Sequence, residues 1–334
     1  MMFKRLSCWA VLATAGLMPV AGMAEAPAIA PAEMAVKAES SLLISLARAG
    51  DRLVAVGSRG HILISDDQGV RWTQVPVPVN NLLTSAYFVD EQRGWVVGHD
   101  ATILVTEDGG STWAVRHFDA SMEPLFDIMF FDEQRGLAIG AYGLVMATSD
   151  GGGSWEVIES TLSEEGVHLN AISRLNDGSY LIVGEVGLLA HSTDEGANWT
   201  TLESPYESSL FSVAPVGTNG AIVGGLRGNV FTASDVASGE WRELDTGTVQ
   251  SVFGIADDGA GGFWLAGLNG SLLHADPQLN IKKASTGAIN GNGSDEDLIV
   301  TAIGGVAYSD VMTLDAQTLL VVGDAGVKRM AFSR

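Results

Sequence analysis

Short runs of apolar residues alternate with turns rich in Gly and Asp along most of the chain. Within residues 84–118, for example, the runs are TSAYFVD, GWVVGH, TILVTE and TWAVRHF. β-Branched and aromatic residues dominate these runs, which is typical of short β-strands joined by tight turns. The second run is almost wholly apolar, so we expect that strand to be buried on both faces. The pattern therefore predicts a unit of four strands.

This unit repeats seven times. A glycine in the approximate pattern V-G-x-x-G marks the phase, at intervals of 41, 42, 44, 41, 42 and 56 residues. The phase glycines are Gly57, Gly98, Gly140, Gly184, Gly225, Gly267 and Gly323. A helical repeat would show a 3.6-residue period, which no unit has. The period near 40 predicts an all-β fold, a seven-bladed β-propeller of four-stranded antiparallel blades over residues 42–334.

The ends of the repeat array carry two further predictions. The last unit ends soon after its third strand, so the N-terminal segment 25–41 is a candidate for the outer strand that closes the last blade. The longest interval holds a Gly-, Asn- and Asp-rich stretch that predicts a surface loop at about 285–298. A calcium site through Asp295, Glu296 and Asp297 is an open alternative, but their spacing matches no calcium motif and no metal is predicted.

The first 24 residues have the pattern of a secretory signal peptide. Lys4 and Arg5 precede an apolar stretch, and small residues at Gly22 and Ala24 suit cleavage. Cys8 is the one cysteine and lies too early for a lipoprotein signal, so the mature chain has no disulfide. We predict a periplasmic or secreted protein with no membrane insertion after cleavage. The net charge of −22 argues against nucleic acid as a partner.

A second motif, S/T-x-D-x-G-x-x-W, recurs between the third and fourth strands. It matches the Asp-box, also called the bacterial neuraminidase repeat, in SDDQGVRW, TEDGGSTW, TSDGGGSW and STDEGANW. Its aspartates can accept backbone N–H bonds within the turn, and its tryptophans can pack between blades. Because a catalytic residue needs to occur only once, the repetition favours a structural role. These residues are Asp67, Asp108, Asp150, Asp194, Trp72, Trp113, Trp155 and Trp199.

The combination of the Asp-boxes with FVDEQRGWVVG and FFDEQRGLAIG resembles the photosystem II stability/assembly factor family of propellers. The resemblance covers roughly residues 42–334. It implies a lumenal or periplasmic, non-enzymatic scaffold that binds a partly assembled membrane protein. It also implies an arginine patch on photosynthetic members, whereas this chain scatters its arginines among the units. We therefore expect a relative from the non-photosynthetic branch.

Two other functions remain open. Asp-box propellers include sialidases, which hold the substrate carboxylate with arginines; Arg52 is the nearest positional candidate here, but the R-I-P motif is absent. A structural propeller module that binds a soluble partner is the other alternative. The six histidines show no pairing in the sequence and are predicted to be surface or loop residues. No catalytic residue and no cofactor are predicted.

The loops between the second and third strands are the predicted binding surface, at one mouth of the channel. Their framing glycines recur while the residues between them differ, as expected of a constant scaffold with a tailored surface. The predicted binding residues are Arg59, His99, Asp100, Tyr142, Glu185, Arg227, Asn269 and Asp324. Arg59 and Arg227 are predicted to clamp a carboxylate or a chain terminus. Arg93 and Arg135 belong to the opposite face, where each is predicted to pair with a carboxylate. The overall prediction is a monomeric binding or assembly factor for an integral membrane protein or complex.

Overall fold

A computed structural model of the protein describes residues 29–286, 299–300 and 305–333. In these ranges the chain forms seven successive sheets of consecutive strands, which pair antiparallel apart from one short parallel pair at the edge of the last sheet. Each sheet packs against the next, and the last packs against the first. The predicted seven-bladed propeller is confirmed. The predicted signal peptide and Asp295–Asp297 lie outside the described residues.

Each blade has four strands in the order inner, second, third and outer. The inner strands are Leu43–Ala49, Leu83–Phe88, Leu125–Phe130, Leu169–Arg174, Leu210–Val216, Val252–Asp257 and Tyr308–Asp315. The second strands are Arg52–Gly57, Gly94–Gly98, Gly136–Gly140, Tyr180–Gly184, Gly220–Gly225, Phe263–Gly267 and Thr318–Gly323. The third strands are Ile62–Ser65, Ile103–Thr106, Val145–Thr148, Leu189–Ser192, Val230–Ala233, Leu272–Ala275 and Lys328–Ser333. The outer strands are Thr73–Gln74, Ala114–His117, Glu156–Val157, Thr200–Thr201, Arg242–Glu243, Ile281–Lys283 and Ile299–Val300.

Helical structure is sparse over the described ranges. There is one short α-helix, Thr161–Glu165, and the remaining helical segments are single 3-10 turns. These turns are Ala38–Ser40, Ser58–Gly60, Ala141–Gly143, Glu185–Gly187, Leu226–Gly228, Val236–Ser238 and Leu268–Gly270. None of the helices found in this part of the chain combines the length and the apolarity that crossing a bilayer requires.

The hydrophobic core is divided among the interfaces between neighbouring blades. Each of seven clusters combines residues from two adjacent blades, and the buried second strands contribute to both of their neighbours. The Asp-box tryptophans lie in these clusters; Trp113, for example, packs with Val54 of the preceding blade. Burial on both faces explains why the second strands consist of small and apolar residues.

The phase glycines mark a close approach of two chain segments. At the end of each second strand the backbone passes directly over the start of the inner strand. A Cβ atom at Gly323, for instance, would overlap the carbonyl oxygen of Ala307. Only glycine leaves room for this crossing, so the repeat that marks the sequence period also reports a contact in space.

The closure of the ring differs from the prediction. The outer strand of blade seven is Ile299–Val300, and Ser285–Thr286 adds a fifth, parallel strand outside it. The described part of the N-terminal segment forms no strand there. Instead Gln74 bonds to the backbone of Glu33 and Ala35 at the edge of blade one. The edge of blade seven is already occupied by the chain that precedes its inner strand, which accounts for the 56-residue interval. Of the predicted 285–298 loop, residues 287–298 lie outside the described ranges.

Candidate functional site at one mouth of the channel

The seven loops between second and third strands lie on the same face. In every blade the first loop residue donates its backbone N–H to the carbonyl of the residue just before the inner strand. The donors are Ser58, His99, Ala141, Glu185, Leu226, Leu268 and Asp324, at 2.9–3.2 Å from Leu42, Leu82, Pro124, His168, Ser209, Ser251 and Ala307. The loops therefore surround the channel mouth at which the inner strands begin.

A left-handed residue stands at the same place in six of these loops. It is followed by the second glycine of the phase pattern, or by Ala101 in blade two. The residues and their φ angles are Arg59 (58°), Asp100 (58°), Tyr142 (50°), Val186 (55°), Arg227 (58°) and Asn269 (55°). Non-glycine residues seldom adopt this conformation, and a β-branched residue such as Val186 is strained in it. Tyr142 and Val186 remain 62% and 63% exposed, so these two loops present their side chains to solvent and not to the core.

Two of the predicted residues meet at a histidine that the sequence did not single out. The His168 ring lies 4.7 Å from the Tyr142 ring and 5.6 Å from Phe126. Its Nδ1 accepts the Tyr142 backbone N–H at 3.2 Å, and its Nε2 lies 3.9 Å from Glu185 Oε2. Tyr142, Glu185 and His168 thus form one aromatic and acidic patch across blades three and four.

The other predicted residues are not brought together. Arg59 belongs to blade one and Arg227 to blade five, with two blades between them by the shorter route, so the clamp formed by these two side chains stays a prediction. Asp100 lies 3.4 Å from the Asn81 amide, and Asp324 accepts the Ala307 N–H at 3.4 Å. Asn269 donates to Gln250 at 2.7 Å. These residues share a face with Tyr142, but each bonds within its own neighbourhood.

The channel itself opens into a cavity of about 470 Å³ lined by all seven inner strands. The second residue of each inner strand lines it, and here aromatic and apolar side chains mix with small polar ones. These residues are Ile44, Thr84, Phe126, Asn170, Phe211, Phe253 and Ser309. The rings of Phe211 and Phe253 lie 5.2 Å apart. The wall at this level is therefore partly aromatic.

The third residue of each inner strand supplies two carboxylates, Asp127 in blade three and Asp310 in blade seven. Asp127 accepts the N–H of Ile172 in the next blade at 2.9 Å, and Asp310 accepts that of Leu46 at the same distance. Each also accepts the N–H of the residue that follows it. Burial raises the pKa of Asp310 to about 7, against the effect of these hydrogen bonds. The repulsion from Asp127 adds to the increase, and burial likewise raises the pKa of Asp127.

These channel residues were not among the predicted site residues, which all lie in the loops whose sequence differs between the glycines. A signal was nevertheless present. Aligning the units on the phase glycine places Asp127 and Asp310 at one register, where the other blades have Ser, Ala, Gly or, in blade one, Ile44. An acidic residue at an otherwise uncharged position indicates a specific role. Two histidines are buried and bonded, His61 to Ser41 and His274 to Asp258. His61 lies in a loop, as predicted, whereas His274 lies in a third strand and so differs from the predicted surface or loop position.

The opposite face carries the Asp-boxes. In each of the four clear copies the Asp Oδ1 accepts the backbone N–H four residues later, at 2.8–2.9 Å. The preceding Ser or Thr hydroxyl donates to the same carboxylate and accepts the glycine N–H at 2.9 Å. The glycines have φ of 76–84°. Backbone hydrogen bonding from Ser154 lowers the pKa of Asp150 to about 2, so this carboxylate is a permanently ionised turn acceptor.

Two repeated arginines on this face make different contacts. Arg135 lies 2.6 Å from Asp132 and 2.5 Å from Glu195 of the next blade, as expected of a carboxylate pair. Arg93 instead donates to the carbonyl of Gly151 and lies over the Trp95 ring at 5.2 Å. The predicted carboxylate partner of Arg93 is thus replaced by a carbonyl and an aromatic ring.

Comparison with known proteins gives consistent similarities. The model of the family described as photosynthesis system II assembly factor YCF48 matches residues 64–126 and 120–266. The chloroplastic photosystem II stability/assembly factor HCF136 of Guillardia theta is 44% identical over 55 residues, which are 16% of this chain and 14% of that protein. The photosystem II assembly protein Ycf48 of Synechococcus sp. (strain JA-3-3Ab) is 38% identical over 79 residues, 22% of this chain and 23% of that protein. These alignments span less than a quarter of either relative.

Solved structures extend the similarity to the whole fold. A structure of YCF48 bound to D1 peptide superposes with a TM-score of 0.66 at 16% identity, covering 89% of this chain and 94% of that one. YCF48 from Cyanidioschyzon merolae gives 0.65 at 14% identity, with 90% and 98% covered. At these identities the structures establish a common propeller fold.

Proposed function

Because the chain belongs to the photosynthesis system II assembly factor YCF48 family, we propose that it is a non-enzymatic assembly factor that binds an incompletely assembled membrane protein complex. The observation that carries the proposal is the loop face. Seven loops share one backbone hydrogen bond to the start of the inner strand, six of them also share a left-handed residue, and their side chains differ. Among these side chains Tyr142, Val186 and Leu268 are exposed and largely apolar. Exposed apolar and aromatic residues on a constant frame are typical of a protein-binding surface.

The relatives support this proposal through their names. They are photosystem II assembly factors, and one solved YCF48 carries a D1 peptide. A subunit of a membrane complex is therefore the proposed class of partner, and a D1-like segment is the first candidate. The signal-peptide pattern of residues 1–24 supports a periplasmic or secreted location, where the lumenal or periplasmic parts of such a complex are accessible.

Nothing in the loop face favours the glycosidase alternative. Arg52, the positional candidate for a substrate-binding arginine, lies between blades one and two near the Asp-box turns. Its guanidinium bonds to Asp66 at 2.7 Å, to the Gly109 carbonyl at 3.1 Å and to Ser111 at 2.7 Å. These contacts engage the guanidinium in an interface between blades, away from the channel mouth.

Affinity capture from a detergent-solubilised envelope tests the proposal. Tagged protein should recover an integral membrane protein, and the double variant Tyr142→Ala/Val186→Ala should recover less of it, because both side chains are exposed on the loop face. Glu107→Ala, on an exposed Asp-box turn of the opposite face, is the matched control and should capture as well as the wild type. Repeated recovery of soluble proteins alone would support the soluble-partner alternative instead.

A screen of fluorogenic glycosides tests the enzymatic alternative. We expect no turnover above that of heat-treated protein. Glu185→Gln and Tyr142→Phe are the control variants, since they remove a carboxylate and a hydroxyl of the channel-mouth patch while preserving side-chain size. Turnover that disappears in these variants would overturn the non-enzymatic proposal.

A further inference from the structure

The channel cavity combines two features that seldom occur together by chance. At one level it is lined by Phe126, Phe211 and Phe253, which present aromatic rings. One residue further along the strands it is lined by Asp127 and Asp310. The two carboxylates belong to blades three and seven, on opposite sides of a seven-membered ring. The cavity thus carries three phenylalanine rings at its mouth and two carboxylates at the next level of its wall.

Neither acid has a cationic partner among the residues lining the cavity. The lining includes no Lys, Arg or His, and Asp127 and Asp310 are its only titratable side chains. Of the basic residues on the inner strands, Arg48 donates to the Thr313 carbonyl at 2.8 Å and Arg174 lies over the Tyr180 ring at 5.9 Å. Carboxylates taken out of bulk water are unfavourable without a counter-charge.

The acids retain capacity to bind a ligand. A carboxylate has about four lone-pair positions. Asp310 uses one on each oxygen, for the N–H groups of Leu46 and Val311. Asp127 uses two on Oδ1, for Ser85 and Ile128, and one on Oδ2, for Ile172. The backbone bonds fix both carboxylates in place, so a ligand would not have to immobilise them.

The chemistry of the walls selects the type of cation. An inorganic divalent ion prefers six or more oxygen ligands, and the described residues contain no group of three His, Cys, Asp or Glu side chains able to hold a metal. An alkylammonium or guanidinium group instead pairs with carboxylates while its stem contacts apolar surface, and it is attracted to aromatic faces. A single Lys or Arg side chain fits a cavity of about 470 Å³.

We propose that the channel mouth receives one Lys or Arg side chain from an extended segment of the partner protein, with the cation between Asp127 and Asp310 and the stem against the phenylalanines. This inference rests on the proposed function, since it assumes a protein partner on the loop face. It adds to that function a specific chemical requirement, a basic residue exposed on the segment that is recognised.

The test measures binding of a fluorescein-labelled Gly-Gly-Arg-Gly-Gly peptide, with citrulline in place of arginine as the neutral control. We expect the arginine peptide to bind at least about tenfold more tightly, because charge-assisted pairing is lost in citrulline. Affinity should increase from pH 6 to pH 8 as Asp310 ionises, and this increase should be smaller in Asp310→Asn.

Matched variants separate the site from the general negative charge of the protein. Asp310→Asn and Asp127→Asn should each weaken binding about tenfold. Asp245→Asn removes the same charge from an exposed connection and should not change affinity measurably. Phe253→Leu tests the aromatic wall without altering charge and should weaken binding severalfold. Circular dichroism of each variant verifies that it is folded.

Three results would overturn the proposal. The citrulline peptide could bind as tightly as the arginine peptide, or Asp310→Asn and Asp245→Asn could change the affinity equally. The third is that 1 mM Ca²⁺ displaces the peptide from the wild type but not from Asp127→Asn or Asp310→Asn, which would indicate a metal site. Capture experiments with the wild type are read separately. A captured membrane protein without peptide binding would leave the assembly function intact and refute the cation site. Peptide binding without a captured membrane protein would support the cation site and count against the assembly function.

Discussion

The Asp-box glycine of blade three offers a sharp test of how the blades fit together. Gly152 has a φ of 79°, and a Cβ placed there would overlap the indole nitrogen of Trp95 and lie 3.0 Å from its Cε2. Trp95 is fully buried and stacks on Phe130 with a centroid separation of 3.7 Å, while Arg93 lies over its ring. The indole therefore has no free space into which it can move. Gly152→Ala should force the interface between blades two and three apart.

The magnitude has two parts. Placing Ala in a left-handed conformation costs about 1–2 kcal/mol, and forcing an extra carbon into a packed interface costs typically about 1–3 kcal/mol. Gly110→Ala, in the blade-two copy of the same turn, provides the matched control. Its φ is 84°, but the added Cβ would lie 3.4 Å from Trp113 and 3.6 Å from Val54, which are ordinary contacts. We expect Gly110→Ala to be destabilised by the conformational cost alone, and Gly152→Ala by the conformational cost and the packing cost together.

Urea unfolding of the protein, followed by circular dichroism, measures the difference. Gly152→Ala should be less stable than Gly110→Ala by about 1–3 kcal/mol, with an unchanged dependence on urea. In a Trp95→Val background, which reproduces the Val54 of blade one, the difference between the two alanine variants should disappear. Equal losses in the two single variants, within about 0.5 kcal/mol, would refute the role assigned to the Trp95 contact.

Three further predictions concern pH and loop strain. Because the pKa of Asp310 is raised to about 7 in the folded protein, ionisation of this carboxyl opposes folding. The free energy of unfolding should therefore fall as pH rises from 4 through 7. Asp310→Asn should reduce that fall by up to about 2–4 kcal/mol. Burial, aided by Arg59, lowers the pKa of His61, so the folded state disfavours protonation of this ring. Stability should therefore also fall as pH decreases below about 6.5. Thermal unfolding as a function of pH is the test, and a His61→Gln variant that loses as much stability below about pH 6.5 as the wild type would contradict the assignment. Val186→Asn introduces the residue found at the equivalent position Asn269 and should raise the free energy of unfolding in urea by about 1 kcal/mol, because Asn tolerates the left-handed conformation and Val does not. An unchanged or lower urea midpoint would argue against backbone strain at Val186.

The part of the candidate site that belongs to the repeating, glycine-framed loops could be predicted from the sequence. The sequence placed Tyr142, Glu185 and Arg227 in equivalent loops on one face, because each loop is framed by glycines a few residues away. It did not identify His168 as the residue that joins Tyr142 to Glu185, since that contact crosses from one blade to the next. Equivalence along the chain establishes a common face, but it does not establish which members of that face touch.

Local chemistry thus determined the number of blades, the four strands in each and the Asp-box turns, because all of these depend on hydrogen bonds and backbone angles within a few residues of each other. The tertiary structure alone decided the ring closure, where Ile299–Val300 occupies the edge that the N-terminal segment was expected to cover. It alone placed Asp127 and Asp310 on the wall of one cavity, although they are 183 residues apart in the sequence. The physical reason is the same in both cases. A repeat specifies what each unit can form by itself, whereas the occupation of an edge and the sharing of one cavity by two carboxylates depend on units that meet only when the ring closes.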